Sequence, residues 1–105
     1  MALDIEIDDI LHPKQIQLGV NDFNVIVDKL KTLNNCPILG RSLTNYFNDN
    51  EIYLNELNLL REEILRISRS LMESNENSTL LFLNDFLSLT ETAIKNRKTI
   101  RFIAD

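Results

Sequence analysis

Apolar and polar residues alternate strictly over residues 3–8, with Leu3, Ile5 and Ile7 on one side and Asp4, Glu6 and Asp8 on the other. A period of two is that of a strand with one buried face. Ile16, Leu18 and Val20 repeat the alternation over residues 15–20, and Pro13 breaks the chain between the two runs. The pair reads as a loose hairpin. The period then changes. Phe23, Ile26, Val27, Leu30 and Leu33 recur at the spacing of one helical face, behind Asn21 or Asp22 as the cap and ahead of Asn34-Asn35-Cys36-Pro37 as the stop. Leu39, Leu43 and Phe47, four apart, predict a short helix over residues 38–47 that Gly40 weakens by about 1 kcal/mol relative to Ala. Asn48-Asp49-Asn50 has the composition of a turn.

The clearest helix follows. Leu57, Leu60, Ile64, Ile67 and Leu71 step by alternating threes and fours, with Leu54, Leu59, Leu65 and Met72 widening the stripe. Glu62 stands four residues before Arg66, the favourable order for an ion pair. A stripe this wide is that of a core helix rather than of a dimerising coiled-coil seam. After a loop at Ser74-Asn75-Glu76-Asn77, Ser78 or Thr79 caps a last helix running to about Asn96. Leu80, Leu83, Phe86, Leu87 and Ile94 line it, and Leu81, Phe82 and Leu89 broaden its apolar surface. Residues 99–104 alternate again, with Ile100 and Phe102 opposite Arg101. Antiparallel pairing of the two chain ends would set Arg101 across from Glu6. The expected fold is therefore mainly α, about four helices with a small β element from the N- and C-terminal segments, as one domain over residues 1–105. The alternative is an all-α bundle.

Composition narrows the function more than the fold. The chain is 44 % apolar and 26 % charged, with two Gly, two Pro and no Trp, which suits long helices around one core. Its net charge is −5, and residues 1–94 alone hold 15 acidic and 7 basic residues, a net of −8. Such a body repels nucleic acid and anionic membrane and attracts basic partners. The remaining bases, Lys95, Arg97, Lys98 and Arg101, follow a helix end and face an acidic strand, which accounts for them without a ligand. One cysteine excludes an internal disulfide, and no apolar run reaches the length of a membrane span. An N-terminus with Asp4, Glu6, Asp8 and Asp9 and no base is unlike a secretory leader, so the expected location is cytoplasmic.

Catalytic equipment is sparse. Cys36 and His12 are single members of their types, each beside a proline, and read as a core thiol and a surface histidine. Gly19 and Gly40 lie too far apart for a phosphate-cradling loop. Asp4, Glu6 and Asp8 lie along one strand face, a flat array that reads as the charged face of an edge strand rather than a metal site. Glu62-Glu63 reads as solvated helix surface. The chain is expected to be no enzyme and to need no cofactor or metal.

Residues 42–60 stand apart. They hold Asp49, Glu51 and Glu56, no Lys or Arg, and the aromatics Tyr46, Phe47 and Tyr53. Tyrosine is favoured at binding hot spots, and carboxylates around it steer a basic partner. Tyr46, Asp49, Glu51, Tyr53 and Glu56 form the expected partner-binding set. In size, acidity, helical content and this acidic-aromatic segment the chain resembles the immunity proteins of bacterial toxin systems, those of contact-dependent growth inhibition and of nuclease bacteriocins. The Asp-Tyr-Tyr cluster of the helical bacteriocin type is missing, so no residue is carried over from it. The resemblance implies an inhibitor that occludes the active site of a basic, nuclease-like toxin domain and is a monomer or weak dimer when free. The alternative is a helical regulatory or adaptor protein that pairs helices through the Leu57 to Leu71 stripe.

Overall fold

A computed structural model describes residues 2–8, 15–33, 35–44 and 50–104. Four strands form one antiparallel sheet: β1 (Ala2–Ile7), β2 (Gln15–Gly19), β3 (Asn50–Ile52) and β4 (Ile100–Ala104), in the order β2-β1-β4-β3. Four helices pack on one face: α1 (Val20–Thr32), α2 (Pro37–Thr44), α3 (Leu57–Leu71) and α4 (Asn77–Asn96). This is the mainly α architecture with a small β element that the chain's periods predict, not the all-α bundle.

The alternation of the strands decides which sheet face is buried. Leu3, Ile5, Ile7, Leu18, Ile52, Ile100 and Phe102 are each at most 3 % exposed and face the helices. Leu57, Leu60, Ile64, Ile67 and Leu71 of α3 are at most 1 % exposed and meet them from the other layer. Burying each such side chain contributes about 1.5–3 kcal/mol. Phe86 ties α4 to β4 through an edge-on contact with Phe102, ring centroids 6.0 Å apart. The α3 stripe is thus consumed within the chain and offers no free helix-pairing face.

Several local expectations change. The residues 48–50 turn gives way at Asn50, which opens β3; Asn48 and Asp49 lie outside the described residues, as does Phe47. The second helix is described over Pro37–Thr44, and its expected end at Phe47 lies outside the described residues. Helices α1 and α4 start before their expected caps, at Val20 and Asn77. Asp22, Ser78 and Thr79 instead bond one another: Ser78 Oγ and Thr79 Oγ1 donate to Asp22 Oδ1 at 3.1 and 2.8 Å, joining the first turns of α1 and α4. Leu54, Leu59, Met72 and Leu81 are 44–69 % exposed, so the stripes of α3 and α4 are narrower than their sequences imply. The hydroxyl of Ser42 on α2 is buried without a hydrogen-bond partner.

The start of α2 shows the largest departure. Its N-terminal N–H groups need acceptors, and the residue ahead of it, Cys36, has no side-chain oxygen to offer as a cap. Pro37 has no N–H, and Gly40 N–H reaches Cys36 O at 2.9 Å. The two N–H groups between them are met from α3. Glu63, fully buried, accepts from Ile38 N–H at 3.0 Å and Leu39 N–H at 2.8 Å. One turn on, Arg66 Nη1 donates to Asn35 O, so Glu62 pairs with Arg61 at 3.4 Å and not with Arg66. Burial raises the Glu63 pKa above the usual carboxylate value, while the two N–H donors pull it down.

Candidate functional site

The sheet order brings together two acidic features that are far apart in sequence. β1 is an interior strand, not the edge strand its charges imply, because β4 lies between it and β3. The face away from the helices carries Asp4 and Glu6 from β1 and Asp8 just beyond it, Arg101 and Ile103 from β4, Gln15 and Gln17 from β2, and Glu51 from β3. Register aligns Gln15, Glu6, Arg101 and Glu51 in one row across the four strands. Ile52 is buried between Glu51 and Tyr53 in extended chain, so Glu51 and Tyr53 share the outer face. Tyr53 is 57 % exposed at its rim.

Arg101 sits among these carboxylates. Its Nη2 donates to Glu6 Oε1 at 2.8 Å, the pair expected from the two alternating termini, and lies 3.5 Å from Asp8 Oδ1. Gln17 Nε2 donates to Asp4 Oδ1 at 2.9 Å. Among the described residues, four carboxylates against one guanidinium give this face a charge of −3. The surface is partly open to solvent and negative, with Ile103 and Tyr53 as its apolar and aromatic groups.

Of the five expected contact residues, Glu51 and Tyr53 lie on this face. Tyr46 and Asp49 fall outside the described residues. Glu56 belongs elsewhere: it is held in a two-pronged ion pair by Arg41, Nη1 to Oε2 at 2.6 Å and Nη2 to Oε1 at 3.1 Å. Arg41, then burial and the Tyr53 N–H, set its carboxyl, which lies below the ordinary value. Tyr53 N–H donates to Glu56 Oε1 at 3.2 Å and Glu56 N–H to Tyr53 O at 2.9 Å, closing the 3-10 turn Leu54–Glu56 ahead of α3. Glu56 therefore fastens α2 to the start of α3 and positions Tyr53. The acids of residues 3–8 are what the reading of residues 42–60 leaves out; their signal is the alternation itself, which puts three carboxylates on one strand face.

Cys36 is 6 % exposed, and burial raises its thiol pKa despite Arg66 Nη1 at 3.9 Å from Sγ. His12 lies outside the described residues. Among those described, no three His, Cys, Asp or Glu side chains are placed to hold a metal ion, and no helix is long and apolar enough to cross a membrane. At the end of α4, Arg97 takes a left-handed φ of 54° and Lys98 N–H reaches Ala93 O at 2.9 Å, so two of the basic residues form a helix stop. The chain matches no protein-family model, no curated protein and no solved structure.

Proposed function

We propose that the protein is an inhibitory binding module that holds a basic protein domain against its open sheet face, in the manner of the immunity proteins that neutralise nuclease-like toxins in the cytoplasm. The observation that carries this is the convergence of Asp4, Glu6, Asp8 and Glu51 on the sheet face away from the helices, with Tyr53 at its rim. Such a surface suits a partner whose own binding site is built for phosphates, because carboxylates occupy cationic subsites in their place. Summed negative charge speeds the encounter, and an exposed tyrosine supplies an anchor that is desolvated on contact. A domain of this size has room for a standard interface of about 1,600 Å². Tyr46 and Asp49 stay in the proposed set as neighbours of Glu51 along the chain. The role needs no catalytic group. Burial of the α3 stripe favours this reading over a helix-pairing adaptor.

The test is binding to a basic domain encoded in the reading frame beside this one. One-to-one association is expected, with a rate that falls as salt rises. Asp4→Lys and Glu51→Lys should each slow association severalfold, and Tyr53→Ala should speed dissociation about tenfold. Reversal at Glu56 should instead lower stability, since its charge is spent on Arg41. An association rate indifferent to salt and to both lysine variants would sink the proposal.

A further inference from the structure

A four-stranded sheet has two edges, and here they are protected unequally. β3 is three residues long and carries Glu51. Short length and charge are the usual defences of an edge strand against pairing with another chain. β2 at the opposite edge has neither: its five residues are Gln-Ile-Gln-Leu-Gly, with no charge and no proline.

The hydrogen-bond phase of the sheet fixes which backbone groups β2 turns outward. Asp8 N–H donates to Thr99 O at 2.9 Å, and these residues are opposed in the β1–β4 register. Residues 4, 6 and 8 therefore turn their backbone groups toward β4, and residues 3, 5 and 7 toward β2. Leu3 opposes Leu18 and Ile5 opposes Ile16. The backbone groups of Ile16 and Leu18 thus serve β1, and those of Gln15, Gln17 and Gly19 point away from the sheet.

We propose that two copies of this chain associate through β2, as an antiparallel strand pair with its two-fold axis at Gln17, giving one continuous eight-stranded sheet. This register sets Gln17 against the mate's Gln17, and Gln15 against the mate's Gly19. The Gly19 carbonyl already starts α1, so about four backbone hydrogen bonds cross the axis. On the core side Ile16 meets the mate's Leu18, apolar against apolar. On the outer face Gln17 meets Gln17, amide against amide, and Gln15 meets Gly19, with no charge opposite a like charge. The two Asp4 carboxylates, three strand spacings apart, are about 14 Å from each other, beyond a physiological Debye length of about 8 Å.

The flank of the edge fits the same occupant. An open trough of about 310 Å³ runs between β2 and α4, lined by Gln15, Ile16, Asp85, Ser88 and Leu89. Leu81, one helical turn before Asp85 on that side of α4, is 67 % exposed. The two-fold axis lays the mate's α4 alongside and covers Leu81. Asp85 and the net charge of −5 oppose the approach, so salt strengthens this association, whereas it weakens binding to a basic partner.

Sedimentation velocity of the full chain over rising concentration tests the proposal, with amide exchange at Gln17 as a second readout. A monomer–dimer equilibrium that tightens with salt is expected, with the Gln17 amide slowing as dimer forms. Gln17→Lys, an exposed change that places two like charges at the axis, should leave a monomer with an unchanged circular dichroism spectrum. Leu81→Lys should weaken the dimer about tenfold. A chain that stays monomeric at every concentration overturns the proposal. So does a dimer that Gln17→Lys leaves intact, including one that responds only to Leu59→Lys on the far side of the molecule.

Discussion

Removing the Glu63 carboxylate would leave Ile38 N–H and Leu39 N–H facing the core without acceptors. Each orphaned group costs about 1–3 kcal/mol, and the vacated volume adds to that. Glu63→Ala should therefore lower stability by about 3 kcal/mol, or about 15 °C in Tm, measured by urea and thermal unfolding. The pH dependence has a definite sign. A folded pKa above the unfolded one makes the folded chain the better proton binder, so this contribution is full below the ordinary carboxylate range and is lost as pH rises through the raised value. Unfolding of Glu63→Gln across pH should lack that loss. Glu56 acts in the opposite sense: its contribution is present above the ordinary range and is lost as pH falls through its lowered value. Ser42 is the reverse case, a buried hydroxyl with nothing to bond. Ser42→Ala removes a desolvated polar group and adds a better helix former, so it should raise stability by about 1 kcal/mol in the same assay.

At the scale of elements, α1 has Ile26 as its one fully buried side chain, with Phe23, Val25, Val27 and Leu30 partly buried against the core. The bonds from Ser78 and Thr79 to Asp22 anchor it to α4. Asp22→Ala strands the buried Thr79 hydroxyl and should cost about 1–2 kcal/mol, with hydrogen exchange rising first in α1. Elements with strong local periods were readable from sequence: the α3 stripe from Leu57 to Leu71, and the alternating ends that set Glu6 against Arg101. β3 was not, since Asn-Glu-Ile has no strand period of its own and owes its form to pairing with β4. Nor were the caps, because Asp22 and Glu63 bond to groups far along the chain, and only the fold chooses those partners. Glu63 did carry a signal: it lies three residues after Leu60 and four before Ile67, on the apolar face of α3. For the candidate site, Glu51 and Tyr53 were visible as part of an acidic-aromatic segment. Their union with Asp4, Glu6 and Asp8 depends on sheet order, which local patterns do not encode.

Over the whole molecule, the described helices take one side of the sheet, and among the described residues no element covers the other side, where negative charge gathers. Binding to a basic domain on that face and self-association at β2 use different surfaces, and salt moves them in opposite directions. The position of β4 has a further consequence, for timing. It is the last strand in the chain, yet it lies between the first strand and β3. The β1–β2 hairpin and the helices can begin to organise as each emerges from the ribosome, whereas the link from β1 to β3 waits for residues 100–104. Until then the inward side of β1 is an open hydrogen-bonding edge, and Ile52 and the apolar face of β1 lack the strand that joins them. The pairing of β1 with β4 joins segments about a hundred residues apart, a slow kind of contact to close. An unfilled edge of that kind is open to pairing with another strand, and a separately supplied peptide spanning β4 is the segment that fits it.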